Sequence, residues 1–478
     1  MRKRFEQQLA FGQLAISETE INFDCRDSFT HLAIALKGIF MNTKYHEKIF
    51  KILESKLTKT KISTGRNGMD LWSIFVLSQV RNNQNISYDR LLHIANNDRM
   101  LRQLLGVEKE FGYERIVFNY HHIYLNVKLI DKETINQLNE VIVEFGHSVF
   151  NHKEGQSFRL KSDSFVVESN VHFPTDYNLL WDCARKCLNS ILHFLKKYSH
   201  LKAWRKISNW RSEIKGLMRE LGKTSKSGGK NKKERMLVVT KRYLAKAQAL
   251  LSKLEIEIPN LPIEDITDLS ICYTLENFMT LMKKHIDLVY RRIVKGEIIP
   301  HAEKMFSVFE TYTELIKKGK LRPNIEFGKM LCITTDQYGL ILDHKIMTNE
   351  QDRDIVIEVA DRMISKYKVY SWSFDKGYWN KDNKTVLQLE IPEVIMPKLG
   401  SRTKAEEEEE KSRKFKRLKN AHSAVESNIN ELEHRGLDRC PDKGLNNFER
   451  YISISVSSYN LKKIGKRLIE MELQRKVA

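Results

Sequence analysis

Proline is scarce in this chain, with 8 residues among 478. So few helix breakers, beside abundant Leu, Lys, Glu and Ile, predict a chain built mostly of helices. Cysteine is scarcer still. Cys25, Cys183, Cys187, Cys272, Cys332 and Cys440 form no CxxC pair, which argues against the common zinc and dithiol frameworks. Cys183 and Cys187 stand at i, i+4 with His193 beyond; two buried helical thiols are the simpler reading, and scattered free thiols fit a reducing cytoplasm. Long apolar runs are missing too: nothing approaches the roughly 20 residues that cross a bilayer. The first 23 residues open basic but hold no uninterrupted apolar stretch and no small-residue cleavage site. The expectation is a soluble, intracellular protein with no membrane partner.

Positive charge is plentiful. Lys and Arg total 81 against 61 Asp and Glu, a formal charge of +20. An excess of this size points to a polyanion such as nucleic acid. Hydrophobic residues make up 41% of the chain, enough for buried cores, and the length predicts two to four structural units.

Apolar spacing of three and four predicts helices in "FTHLAIALKGIF" and "HEKIFKILESKL" of region 1–64. Region 65–150 follows with an apolar helix, "LWSIFVLSQV", a polar turn, and two amphipathic pieces beginning at Ser87 and near Asn97. Helix, turn and helix carrying Arg90, Arg99 and Arg102 suit a DNA-binding module, and equally a helical bundle with solvated arginines. At 157 the period changes, and "SFRLKSDSFVVE" reads as a strand ending near Glu168. Residues 178–325 form a helical insertion broken by the Gly/Ser/Lys stretch 222–235, either a solvated linker or a phosphate-contacting loop. Two runs flanking "DQYG" predict a hairpin over 328–347, followed by a helix, a strand at 369–372, a short helix, and helices to the C-terminus. Segments 151–177 and 326–478 are therefore expected to form one α/β sheet domain split by the insertion.

Two-metal phosphodiester chemistry requires hard oxygen ligands around ions about 3.5–4 Å apart. Asp163 in the first strand and Asp375 after a later one can share an ion if those strands pair, because neighbours lie about 4.8 Å apart. A third acid is expected from the helix in "HSAVESNINELEHRGLDRC". Val425, Ile429 and Leu432 define its buried stripe; at about 100° per residue Glu426 and Glu433 share one flank, and Glu431 lies on the other. Periodicity leaves Glu426 and Glu433 undecided. The glutamates 406–410 are expected to pair at i, i+4 with the basic run 411–417.

Taken in order, "LKSDSFVVESNVHFPTD", "FETYTELIKKGK", "TTDQYGLILDHKI", "SFDKGYW", "MPKLGSR", "HSAVESNINELEHRGLDRCPDKGLNNFERY" and "SYNLKKIG" resemble bacterial insertion-sequence transposases of the DDE type, the ISNCY-like group in particular. The stretch 65–106 is similar to the helical N-terminal domain of such enzymes, so the resemblance runs from about 65 to 470. It implies an RNase H-like catalytic domain, interrupted by the insertion and preceded by a helical DNA-binding region. It implies two Mg²⁺ ions, with Mn²⁺ as a substitute, and Asp163, Asp375 and Glu426 as the catalytic and metal-holding acids. The implied partner is double-stranded DNA, both transposon ends and target, in a synaptic complex of a homodimer or larger oligomer, and the implied setting is a bacterial nucleoid. Glu168 and Asp176 are read as structural, and His422, one turn before Glu426, as a cap or packing residue near the reacting phosphate. His422, Asn430, His434 and Arg435 stand where related enzymes often carry a Tyr/Arg/Lys signature, so details of end processing do not transfer. DNA contacts are expected from Arg90, Arg99 and Arg102, from Lys223, Lys226, Lys230, Lys232, Lys233 and Arg235, and from Lys414, Lys416 and Lys419. The alternatives are a catalytically silent repressor derived from a transposase and a metal-dependent nuclease without strand transfer.

Overall fold

The computed structural model describes the chain except residues 1, 6–7, 26, 58–67, 113–114, 199, 202–203, 205, 318–324 and 478, and the side chain of residue 477. The boundary expected at 64/65 lies outside the described residues. The chain divides into two compact units, 1–170 with 316–478, and 171–315.

The first unit opens with seven helices: α1 (Ser28–Met41), α2 (Thr43–Leu57), α3 (Leu71–Asn83), α4 (Tyr88–Asn97), α5 (Arg99–Leu104), α6 (Tyr120–Val127) and α7 (Lys132–Val149). Side-chain oxygens start several of them: Asp70 accepts from the Ser73 amide, Ser87 from Arg90, Asp98 from Leu101 and Asp131 from Thr134. Strand β1 (Phe158–Glu168) follows. The second unit holds α8 (Asp176–Lys197), α9 (Ile207–Lys226), α10 (Lys232–Glu257) and α11 (Ile266–Val289). Leu180, Cys187, Ile191, Leu221, Tyr243, Leu275 and Met282 lie in its core. Cys183 and Cys187 are buried free thiols there, and burial pushes the Cys187 thiol up to about 12.

The chain continues through β2 (Glu314–Lys317), β3 (Ile325–Thr335), β4 (Ile341–Ile346), α12 (Val356–Ile364), β5 (Val369–Phe374), α13 (Lys381–Glu390) and β6 (Glu393–Ile395). It ends with α14 (Lys404–Lys411), α15 (Arg413–Leu432) and α16 (Leu445–Val477). The fold is mixed α/β with a six-stranded sheet in the order β2-β3-β1-β5-β6, β4 also pairing with β3. β1 and β3 are antiparallel, as are β3 and β4, while β1–β5 and β5–β6 are parallel. A buried polar knot fixes the central register: the Trp372 indole donates to Ser162 Oγ at 2.8 Å, and Ser162 Oγ lies 2.7 Å from Thr334 Oγ1.

α16 packs against α1, α3 and α7, and every residue from Tyr451 to Leu461 is buried. α3 is buried all round, and its polar side chains face α16. Asn82 donates to the Tyr451 carbonyl (3.0 Å) and Ser455 Oγ (2.9 Å), and Ser457 donates to Gln79 Oε1 (2.9 Å). Pairing these groups offsets the cost of burying them. Among the described residues no helix is long and apolar enough to cross a membrane.

Candidate active site

Parallel pairing of β1 with β5 sets Ser162 opposite Phe374, so the next residues along the two strands are Asp163 and Asp375. The condition for two strand aspartates to share one centre is thus met. α15 crosses β1, β5 and β6 and buries His422, Val425, Ile429 and Leu432 as its inner stripe, Val425 completely. Glu426 follows Val425 on the exposed flank.

Burial raises the Asp163 carboxyl to about 7, and the negative charges of Asp375, Asp352 and Glu426 add to the rise. The Ser164 amide donates to Asp163 Oδ1 at 2.7 Å and opposes the shift. Repulsion of this kind means that Asp375, Asp352 and Glu426 all lie within electrostatic reach of Asp163. Glu433 is not among the largest influences on Asp163. It starts a widened π-turn, Glu433–Leu437, in which the chain reverses through Gly436 at φ 102°. Glu431 pairs instead with Lys462 of α16.

Asp352 escaped the sequence reading. It lies in the loop between β4 and α12, and Ser164 Oγ donates to it at 2.6 Å. A Cβ added at Gly377 would stand 2.8 Å from Asp352 Oδ2, so this loop lies against the turn that follows Asp375. Burial raises the Asp352 carboxyl, and Asp375 and Asp354 contribute. No periodic pattern marks Asp352 in "NEQDRDI"; only the fold joins it to Ser164.

Oxygen-only donors suit a hard divalent cation, and Asp163 held near 7 in a cluster of acids has the electrostatics of a site waiting for positive charge. The side-chain positions are a separate matter: among the described residues, no three His, Cys, Asp or Glu side chains form a group that could hold a metal ion. The fit is therefore one of donor type and shared environment, with side-chain rotation needed to converge on an ion.

His422 is 8% exposed and has its Nδ1 3.1 Å from Ser373 Oγ, while its Nε2 has no partner. Burial lowers its pKa, so the ring is neutral near neutral pH. Glu168 ends β1 with backbone bonds to Asp438 and Cys440, and Asp176 starts α8 and pairs with Arg292.

The expected DNA-contacting cations divide. Arg90 and Arg99 are exposed. Arg102 is not available: it is 2% exposed, bonded to Glu108 and to the carbonyls of Ile116 and Val107, and it holds the 107–116 loop to α5. Lys223, Lys226, Lys230, Lys233 and Arg235 are exposed and Lys232 is half-buried. The loop around them is only 227–231, because α9 runs on to Lys226 and α10 begins at Lys232. Lysines in a last helical turn are favourable, which extends α9 beyond its expected end. Lys414, Lys416 and Lys419 are exposed on α15, with Lys414 paired to Glu393.

No known protein family matches the chain, and neither a curated protein nor a solved structure does so.

Proposed function

We propose that the protein is a DDE-type transposase with an RNase H-like catalytic domain. It would bind the inverted repeats at the ends of an insertion sequence, cleave a DNA strand there, and join the freed 3′-OH to target DNA. The observation that carries this reading is the shared electrostatic environment of Asp163, Asp375 and Glu426, drawn from a strand, a strand end and a crossing helix. The sheet, three antiparallel strands continued by two parallel ones with the acids at its centre, supports the fold part of the reading. The charge of +20 supports a polyanionic substrate.

Asp163, Asp375 and Glu426 would hold two divalent ions, Mg²⁺ or Mn²⁺. Bound there, the ions supply Lewis-acid stabilisation of the attacking and leaving oxygens in an in-line displacement. The chain's own residues prepare the centre. The Ser164 amide fixes one oxygen of Asp163, and the Ser162–Trp372–Thr334 knot fixes the strand pairing that sets Asp163 beside Asp375. Asp163, raised to about 7, is partly protonated near neutral pH and would give up that proton to a bound cation. His422, neutral and bonded to Ser373, seats α15, the helix that carries Glu426, on β5.

The test uses DNA carrying the gene's own flanks as substrate. Wild-type protein with Mg²⁺ is expected to nick the flanking ends and yield joined products, and Asp163→Asn to lose both while still binding DNA. Nicking retained by Asp163→Asn would refute the site; nicking without joined products would make the protein a nuclease.

A further inference from the structure

A recess of about 260 Å³ opens between β1, β5 and the first half of α15, and no carboxylate lines it. Arg159 and Lys161 of β1 and Arg417 of α15 line it, with the hydroxyls of Ser371 and Ser373 from β5. Among the described residues none of these three cations has an ion-pair partner; the Lys161 ammonium reaches only the Asp336 carbonyl, at 3.4 Å. Burial lowers the Lys161 pKa, and the charges of Lys463 and Arg159 add to the effect against Asp336. Three cations lining one recess without an acid beside them make a place where an anion is stabilised. Two guanidinium forks, an ammonium and two hydroxyls are a donor set for phosphate oxygens.

Its position gives the recess a meaning. Lys161 and Asp163 share one face of β1, about 6.7 Å apart along the strand. Ser373 pairs with Lys161 in the same register that brings Asp375 beside Asp163. Ser373 also contacts His422, whose buried Nε2 lacks a partner. The recess is one strand step from the acids, on the same face.

We propose that this recess is a phosphate subsite, which holds a backbone phosphate of the DNA strand next to the phosphate at the acids. The inference deepens the transposase reading and rests on it for the identity of the strand.

The experiment measures binding of a fluorescein-labelled DNA duplex of arbitrary sequence by anisotropy, without divalent metal, over a series of salt concentrations. The variants are Arg159→Ala with Arg417→Ala, both at exposed positions, then Arg417→Glu alone, with Lys51→Gln and Lys56→Gln on exposed α2 positions as a control pair. The slope of log K against log salt falls by about 0.9 for each phosphate no longer neutralised, so the double variant, which empties one subsite, should lose about 0.9. Arg417→Glu should weaken binding further, and the control pair should leave the slope near wild type. An unchanged slope in the double variant, an equal change in the control pair, or absence of duplex binding by the wild type would overturn the subsite. Competition by inorganic phosphate without any loss of duplex affinity in the variants would make it a free-anion site and overturn the strand assignment. A lowered slope in a protein that cleaves nothing would leave the subsite standing and remove the transposase reading, whereas cleavage with an unchanged slope would do the reverse.

Discussion

Asp163 carries the strongest electrostatic signature of the site. A carboxylate has an ordinary pKa near 3.9, and in the folded chain Asp163 sits at about 7. The folded state therefore binds more protons than the unfolded one between those values, and the stability contribution is present at low pH and falls as pH rises from about 4 to about 7. Above pH 7 the cost of burying the charge, with the repulsion of the neighbouring acids added, is fully felt. Asp163→Asn removes it and is expected to raise the melting temperature at pH 8 by roughly 2–4 °C for each kcal/mol relieved, with a smaller effect at pH 4. A Tm that falls at pH 8 would mean that Asp163 is a stabilising partner instead. Mg²⁺ should raise the wild-type Tm and leave that of the variant nearly unmoved, because a cation held only by the folded centre would stabilise it. Glu426→Gln is expected to abolish cleavage and Glu433→Gln to leave it within a few-fold of wild type, measured on the same flank substrate. The sequence left these two glutamates tied because a regular helix puts them on one flank. The tie is physical only while the helix stays regular, and at Glu433 it widens into the π-turn.

At the scale of elements, the pairing of β1 with β5 decides the site, and the Ser162 hydroxyl locks that pairing. Ser162→Ala would leave the Trp372 N–H and the Thr334 hydroxyl without their buried partner, at a cost of about 1–3 kcal/mol. Its urea midpoint should fall, and cleavage should fall with it as Asp163 and Asp375 drift apart; an unchanged midpoint would count against the lock. The presence of β1, the β3–β4 hairpin and β5 was legible, since period-two alternation, the DQYG turn and the buried 369–372 run each carry local signals, whereas their order in the sheet was not. Charge pairing on the helices was not. Of the pairs expected between the glutamates 406–410 and the basic run, Lys411–Glu407 is present, but Glu406 pairs with Lys398, Glu409 with Lys384 and Glu410 with Arg402. Ser412 ends α14 and caps α15, so the two charge runs lie on separate helices and helical spacing no longer relates them.

For the whole molecule, the N-terminal helices and the sheet belong to one compact unit, stitched by α16. The apolar helix in "LWSIFVLSQV" reads as the opening of a separate module because α3 carries no mark of what it will face. Its Gln79, Asn82 and Asn83 are buried through partners some 370 positions away, beyond any local pattern. Arg102 shows the same limit, its buried role depending on a loop fold that spacing does not encode. The same holds for Asp352 and for the Arg159–Lys161–Arg417 recess, both assembled only when distant segments meet. What local spacing did encode was β1 with Asp163 in it and the inner stripe of α15.

The account's central claim is that Asp163, Asp375 and Glu426 form one divalent-cation centre. Electron paramagnetic resonance titration of Mn²⁺ into the protein with bound DNA duplex tests it most directly. The prediction is about two ions per wild-type chain, with binding lost or reduced at least tenfold in Asp375→Asn and Glu426→Gln and retained in Glu433→Gln. Equal Mn²⁺ binding by all four proteins, or none by the wild type, would contradict it.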